Sequence, residues 1–170
     1  MQRRPFLLTA LTALAAASFL PALAGAAPGD RQVAVRNSID VDSVDGRALV
    51  RLSTSNYGKQ TIWIPREMAE GKELTRRRFD VRAFDGRPLD YTGKMVKRAA
   101  LTADDYVAVA PGETVTSTID ITPSYAFLKG RHSYQMGYAG PYLTDVTDVK
   151  QLDKPAESPA RPITFIHTGK

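Results

Sequence analysis

The chain has 170 residues, 23 Lys and Arg against 18 Asp and Glu, a net charge of +5, two His and no Cys. Without Cys there is no disulfide, no thiol nucleophile and no Cys-ligated metal. The cation excess is mild and scattered, and lacks the clustered basic face that nucleic-acid binding requires.

Arg3 and Arg4 form a short positive segment, followed by an uncharged, Leu- and Ala-rich run from Phe6 to Leu23. The run ends in small-x-small triplets, Ala22-Leu23-Ala24 and Ala24-Gly25-Ala26, which reads as a signal peptide cleaved after Ala26, with Ala24 as the alternative. The run is nearly long enough to span a bilayer, but Pro21 and the cleavage triplets favour removal over anchoring. The opening also resembles a twin-arginine signal, which leaves the export route open. Cleavage takes 26 residues, Arg3 and Arg4 among them, leaving 144 residues of charge +3. That is one domain's length, 27–170, expected in the periplasm or secreted, without membrane insertion and as a monomer when free.

Residues 27–38 read as a polar lead-in. Ile39 and Val41 then alternate with Asp40 and Asp42, Asp45-Gly46 signals a turn, and Ala48, Val50 and Leu52 share the face of a second strand. Thr61 to Ile64 is a short strand stopped by Pro65, with Trp63 expected as a core anchor between sheets. Arg66 to Arg77 reads as a long charged surface loop with room for one helical turn. Phe79 to Phe84 alternates strictly, Asp85-Gly86-Arg87-Pro88 turns, and Leu89-Asp90-Tyr91 returns. Further strands are expected at 106–109, 115–121, 133–138 and 163–166. Thr144 to Pro162, rich in Asp, Lys and Pro, is expected as a mobile loop that builds no core.

Short alternating strands with Gly and Pro turns about every ten residues predict an all-β fold, an immunoglobulin-like antiparallel β-sandwich of about seven to nine strands. A closed barrel is the other architecture this pattern allows.

No catalytic constellation emerges. His132 and His167 stand apart without an i,i+4 partner and read as surface residues. There is no Gly-x-Ser-x-Gly elbow and no phosphate-binding Gly loop. Asp104, Asp105, Asp145 and Asp148 lack the spacing of a calcium loop and read as turn acids. No metal, cofactor or enzyme activity is expected. Tyr134, Tyr138 and Tyr142 read as core rings with polar tips rather than an exposed platform. One segment is not explained by folding: Lys94, Met95, Val96, Lys97 and Arg98 place three cations around two apolar residues. Edge-strand protection is one explanation; the other is a protruding, extended segment that enters a partner's cleft.

The strings Asp85 to Arg98, Leu101 to Val107, Ala110 to Val115 and Ser133 to Tyr138 resemble the N-terminal pro-domain of deuterolysin-like, peptidyl-Lys zinc metalloendopeptidases. The likeness runs from Ile39 to Tyr138 and is strongest from Phe79 to Ile121. The family's protease domain, with its His-Glu-x-x-His helix, does not follow here; a Pro-rich loop and a last strand do. The resemblance implies a free-standing pro-domain relative that binds a secreted zinc metalloendopeptidase, inhibiting it or chaperoning it. An enzyme that prefers Lys has an acidic pocket, which a compact ammonium on a long apolar stem would fill. Lys97 is the expected plug, Lys94 the second choice and Arg98 a flanking contact. An envelope-associated binding module without inhibitory action is the alternative.

Overall fold

A computed structural model describes residues 34–97 and 100–170. All of them fall in one compact unit, Gln32–Lys170; the expected signal peptide and Arg98 lie outside the described residues. The first sheet has the order β1-β2-β6, from β1 (Val35–Val44), β2 (Arg47–Asn56) and β6 (Thr114–Asp120). The second has the order β10-β7-β4, from β4 (Phe79–Ala83), β7 (Gly130–Tyr138) and β10 (Ile163–Gly169). Two ribbons flank them: β3 (Ile62–Pro65) with β5 (Tyr106–Val109), and β8 (Pro141–Tyr142) with β9 (Ala156–Glu157). Every strand pair is antiparallel.

The fold is thus the all-β antiparallel sandwich read from the sequence, not a closed barrel. Ten strands are found among the described residues rather than seven to nine, because β8 and β9 arise inside and beside the segment expected to be unstructured. Alternation explains the two layers. Ile39, Val50, Leu52 and Ile119 point inward from one sheet, and Phe79, Val81, Tyr134, Met136 and Phe165 meet them from the other. A second cluster of Val35, Ile62, Ile64, Ala69 and Val109 sits under the β3–β5 ribbon. Asp45 and Gly46, both at positive φ (54° and 76°), link β1 to β2 as a two-residue turn matching the twist of the strands.

Four expectations are corrected. The lead-in is strand from Val35 onward, and both Val35 and Asn37 are buried. Trp63 is not a core anchor: Ile62 and Ile64 take the inward face of β3, so alternation turns Trp63 outward, where its backbone bridges Leu143. His167 is no surface residue but 1% exposed, on the inward face of β10 against the Phe127 ring.

The segment 144–162 is the fourth, because it carries its own structure. α2 (Val149–Asp153) is capped by Asp148, which accepts from Lys150 N at 2.9 Å. Gln151 Oε1 accepts from the Thr144 and Asp145 amides at 2.9 and 3.2 Å. Ser158 is buried where Asn37 Nδ2 donates to its carbonyl at 2.8 Å and its own hydroxyl donates to Val35 O at 2.6 Å. Composition hid this because the pairing partners lie more than 100 residues away on β1.

Candidate functional site: the 93–97 loop

The charged stretch after β3 opens with α1 (Arg66–Ala69), which buries Met68 and Ala69 and presents Glu67 to the chain that follows. The Glu67 carboxylate, 8% exposed, accepts from the Thr75 hydroxyl and pairs with Arg78. That anchor fixes the 72–78 segment, and Leu74 turns into the main core. Thr75 O then accepts the amide of Val96 at 3.1 Å. A chain of contacts therefore runs from α1 to the loop.

The entry to the loop is equally defined. Thr92 N donates to Ser124 O at 3.0 Å, and Tyr91 Oη donates to Lys94 O at 2.9 Å. A Cβ on Gly93 would lie 2.8 Å from Tyr91 Oη and 2.9 Å from Ser124 Oγ, so no larger residue fits between them without displacement. The Tyr91 ring itself is fixed edge-on against Tyr125, with centroids 5.5 Å apart.

On this frame Met95 is 78% exposed and Val96 51% exposed. Burying side chains of this kind stabilises a fold by about 1.5–3 kcal/mol each, so two adjacent ones held outside are not explained by folding. Lys94 is exposed but engaged: its ammonium lies 2.6 Å from Glu73 Oε2. The hydrogen bond, then the carboxylate charge, raise its pKa above the ordinary lysine value. Lys97 is exposed and has no ion pair or side-chain hydrogen bond among the described residues.

Of the five expected contact residues, the structure thus brings Met95, Val96 and Lys97 to the surface together. Lys94, also exposed, is paired with Glu73. Residues 94–97 are not strand and so form no edge ladder. The anchors Glu67, Glu73 and Thr75 were not legible as site residues, since nothing in the local sequence couples 67–75 to 94–96.

Tyr134 and Tyr138 are buried and Tyr142 half-buried, so they form no exposed platform. Asp105 accepts from Thr102 N at 3.0 Å and Asp145 from Thr147 N at 2.8 Å, ordinary turn and capping roles. Among the described residues no three His, Asp or Glu side chains group closely enough to hold a metal ion.

No protein-family model matches the chain, and no curated protein matches it significantly. Among solved structures it is similar to the yjhA protein from Bacillus subtilis, with 12% identity and a TM-score of 0.38 over 75% of this chain and 90% of that one. It is also similar to a structural-genomics target designated SoR45, with 10% identity and a TM-score of 0.37 over 81% of this chain and 88% of that one.

Proposed function

We propose that the protein is an exported, non-enzymatic binding domain that presents Met95, Val96 and Lys97 to a protein partner. The observation that carries this is the exposure of two adjacent apolar side chains, beside a lysine with no ion pair among the described residues, on a loop held by hydrogen bonds at Lys94 and Val96. Tethering matters because a loop ordered in advance loses less entropy on docking. The resemblance to a metalloprotease pro-domain supports a secreted zinc metalloendopeptidase as the partner. A lysine-preferring cleft offers an acidic pocket for Lys97, with apolar contacts for Met95 and Val96. Arg98 would flank this contact.

The test is inhibition. Mature protein added to a lysine-specific zinc metalloendopeptidase is expected to slow cleavage of a reporter peptide, and Lys97→Ala to relieve the effect. Full activity in the presence of wild-type protein would reject the inhibitory reading, leaving the envelope-associated binding module as the alternative.

A further inference from the structure

The outer edge of β6 is a second surface, and it does not depend on the loop reading. Ile121 N donates to Ala48 O at 3.0 Å, on the β2 side, whereas Asp120 N donates to Lys72 O at 3.0 Å, on the opposite side. Strand alternation carries that direction along β6, so the N–H and C=O groups of Thr114, Thr116 and Thr118 face away from β2. The 72–73 segment meets the strand at Asp120, where Glu73 makes a parallel bridge. Thr114, Thr116 and Thr118 are exposed, and their outward backbone groups have no partner among the described residues.

The edge also lacks the usual safeguards. Sheet edges are normally protected by charge, proline, a bulge or a covering segment. β4 has such a cover: Ala83 N donates to Arg87 O and Leu89 N to Val81 O, both at 2.8 Å. β1 carries Arg36, Asp40 and Asp42 among its exposed residues. From Thr114 to Ile119, β6 has neither charge nor proline, and its pairing with β2 runs without a bulge. The Thr114 and Thr116 hydroxyls bond Ser55 Oγ at 2.8 Å and Ser53 Oγ at 3.0 Å. Those bonds turn both side chains back over the sheet and off the edge.

We infer that this edge pairs with the same edge of a second copy, antiparallel about Thr116, joining the two three-stranded sheets into one. Thr116 then faces its own counterpart and Thr114 faces Thr118 of the second copy, and each pair exchanges both backbone hydrogen bonds. The occupant is a second copy because the edge complements itself in length, direction and charge. No residue of the paired stretch is charged, and threonines opposite one another are favourable cross-strand neighbours. The register also limits itself. Beyond Thr118 the edge is closed by Lys72, and there the second copy's chain leaves at its Pro111-Gly112 turn, Gly112 having φ 81°. An edge this short, set against the about 1,200–2,000 Å² that stable complexes bury, makes a weak dimer whose dilute limit is the monomer.

Sedimentation velocity of the mature protein from micromolar to millimolar concentration tests this. Wild type should pass from monomer to dimer, and hydrogen exchange at the Thr114, Thr116 and Thr118 amides should slow as it does. Thr116→Lys sets two like charges face to face and should weaken association about tenfold or more. Thr116→Pro removes an outward N–H without touching the bonds to β2, and should do the same. Ser38→Lys, on the outer face of β1, should leave association unchanged. Near-ultraviolet circular dichroism reports whether each variant is folded. A wild type that stays monomeric throughout would overturn the inference and leave the edge to a strand of another protein. Undiminished dimerisation of folded Thr116→Lys, or protection of the 93–97 amides in place of those in β6, would overturn it too.

Discussion

The carbonyl of Thr75 accepts the amide hydrogen of Val96 at 3.1 Å, while the hydroxyl of the same threonine is held by Glu67. One residue therefore couples a carboxylate packed beneath the surface to the loop that displays Met95 and Val96. The position of the loop is set from below by residues that lie outside it.

Glu67→Ala should accordingly do two things. It leaves Arg78, whose side chain is 18% exposed, without its carboxylate. Breaking a fully buried pair from one side costs about 3–5 kcal/mol, and this partly wetted one should cost about 2–3 kcal/mol in urea unfolding. It should also release Thr75, so that amide exchange at Val96 speeds up more than exchange in β2 or β7.

Tyr125 serves Phe79 at both backbone atoms: its hydroxyl donates to Phe79 O at 2.7 Å and accepts from Phe79 N at 3.2 Å. Burial pushes the phenol pKa up to about 12, so it stays a protonated donor across the physiological range. Tyr125→Phe preserves the ring and strands two buried backbone groups. A loss of about 1–3 kcal/mol is expected from equilibrium denaturation.

Gly140 has φ 64°, and a Cβ there would lie 2.2 Å from Ser158 O and 2.3 Å from Asn37 Nδ2. Gly140→Ala must therefore push the β9 segment off β1 and break the Asn37–Ser158 contact. Destabilisation above about 2 kcal/mol is expected. Limited proteolysis should then cut between residues 144 and 160 first.

His167 titrates in the opposite sense to a paired histidine. Its Nδ1 contacts Ser43 Oγ at 2.8 Å, its buried Nε2 has no partner among the described residues, and desolvation lowers its pKa below 6.5, with Asp120 opposing in part. The unfolded chain thus takes up the proton more readily. The stability this group contributes is complete above about pH 6.5 and is lost as pH falls through the lower folded-state value. Denaturation at pH 7 and pH 5 should show a drop in wild type that is smaller in His167→Phe. An equal drop in both would place the acid sensitivity elsewhere.

The strands were legible because their signal is local. Period-two alternation at Phe79–Ala83 and at Ser117, Ile119 and Ile121 places those residues without knowledge of the rest of the chain. The Asp45-Gly46 turn was legible for the same reason. His167 was misplaced because its burial depends on Phe127 and on β1 closing over the end of β10. The 144–162 segment was misread because its order rests on hydrogen bonds to Val35 and Asn37. The exposed run Met95-Val96-Lys97 was visible in the sequence, but the diversion of Lys94 to Glu73 was not, since that contact spans 21 positions.

The most direct measurement is a calorimetric titration of a catalytically inactive lysine-specific zinc metalloendopeptidase with three versions of the mature protein. Wild type should bind, Lys97→Ala should bind at least about tenfold more weakly, and Lys94→Ala should change affinity less than about threefold. Equal affinity of wild type and Lys97→Ala, or no binding by wild type, would contradict the account.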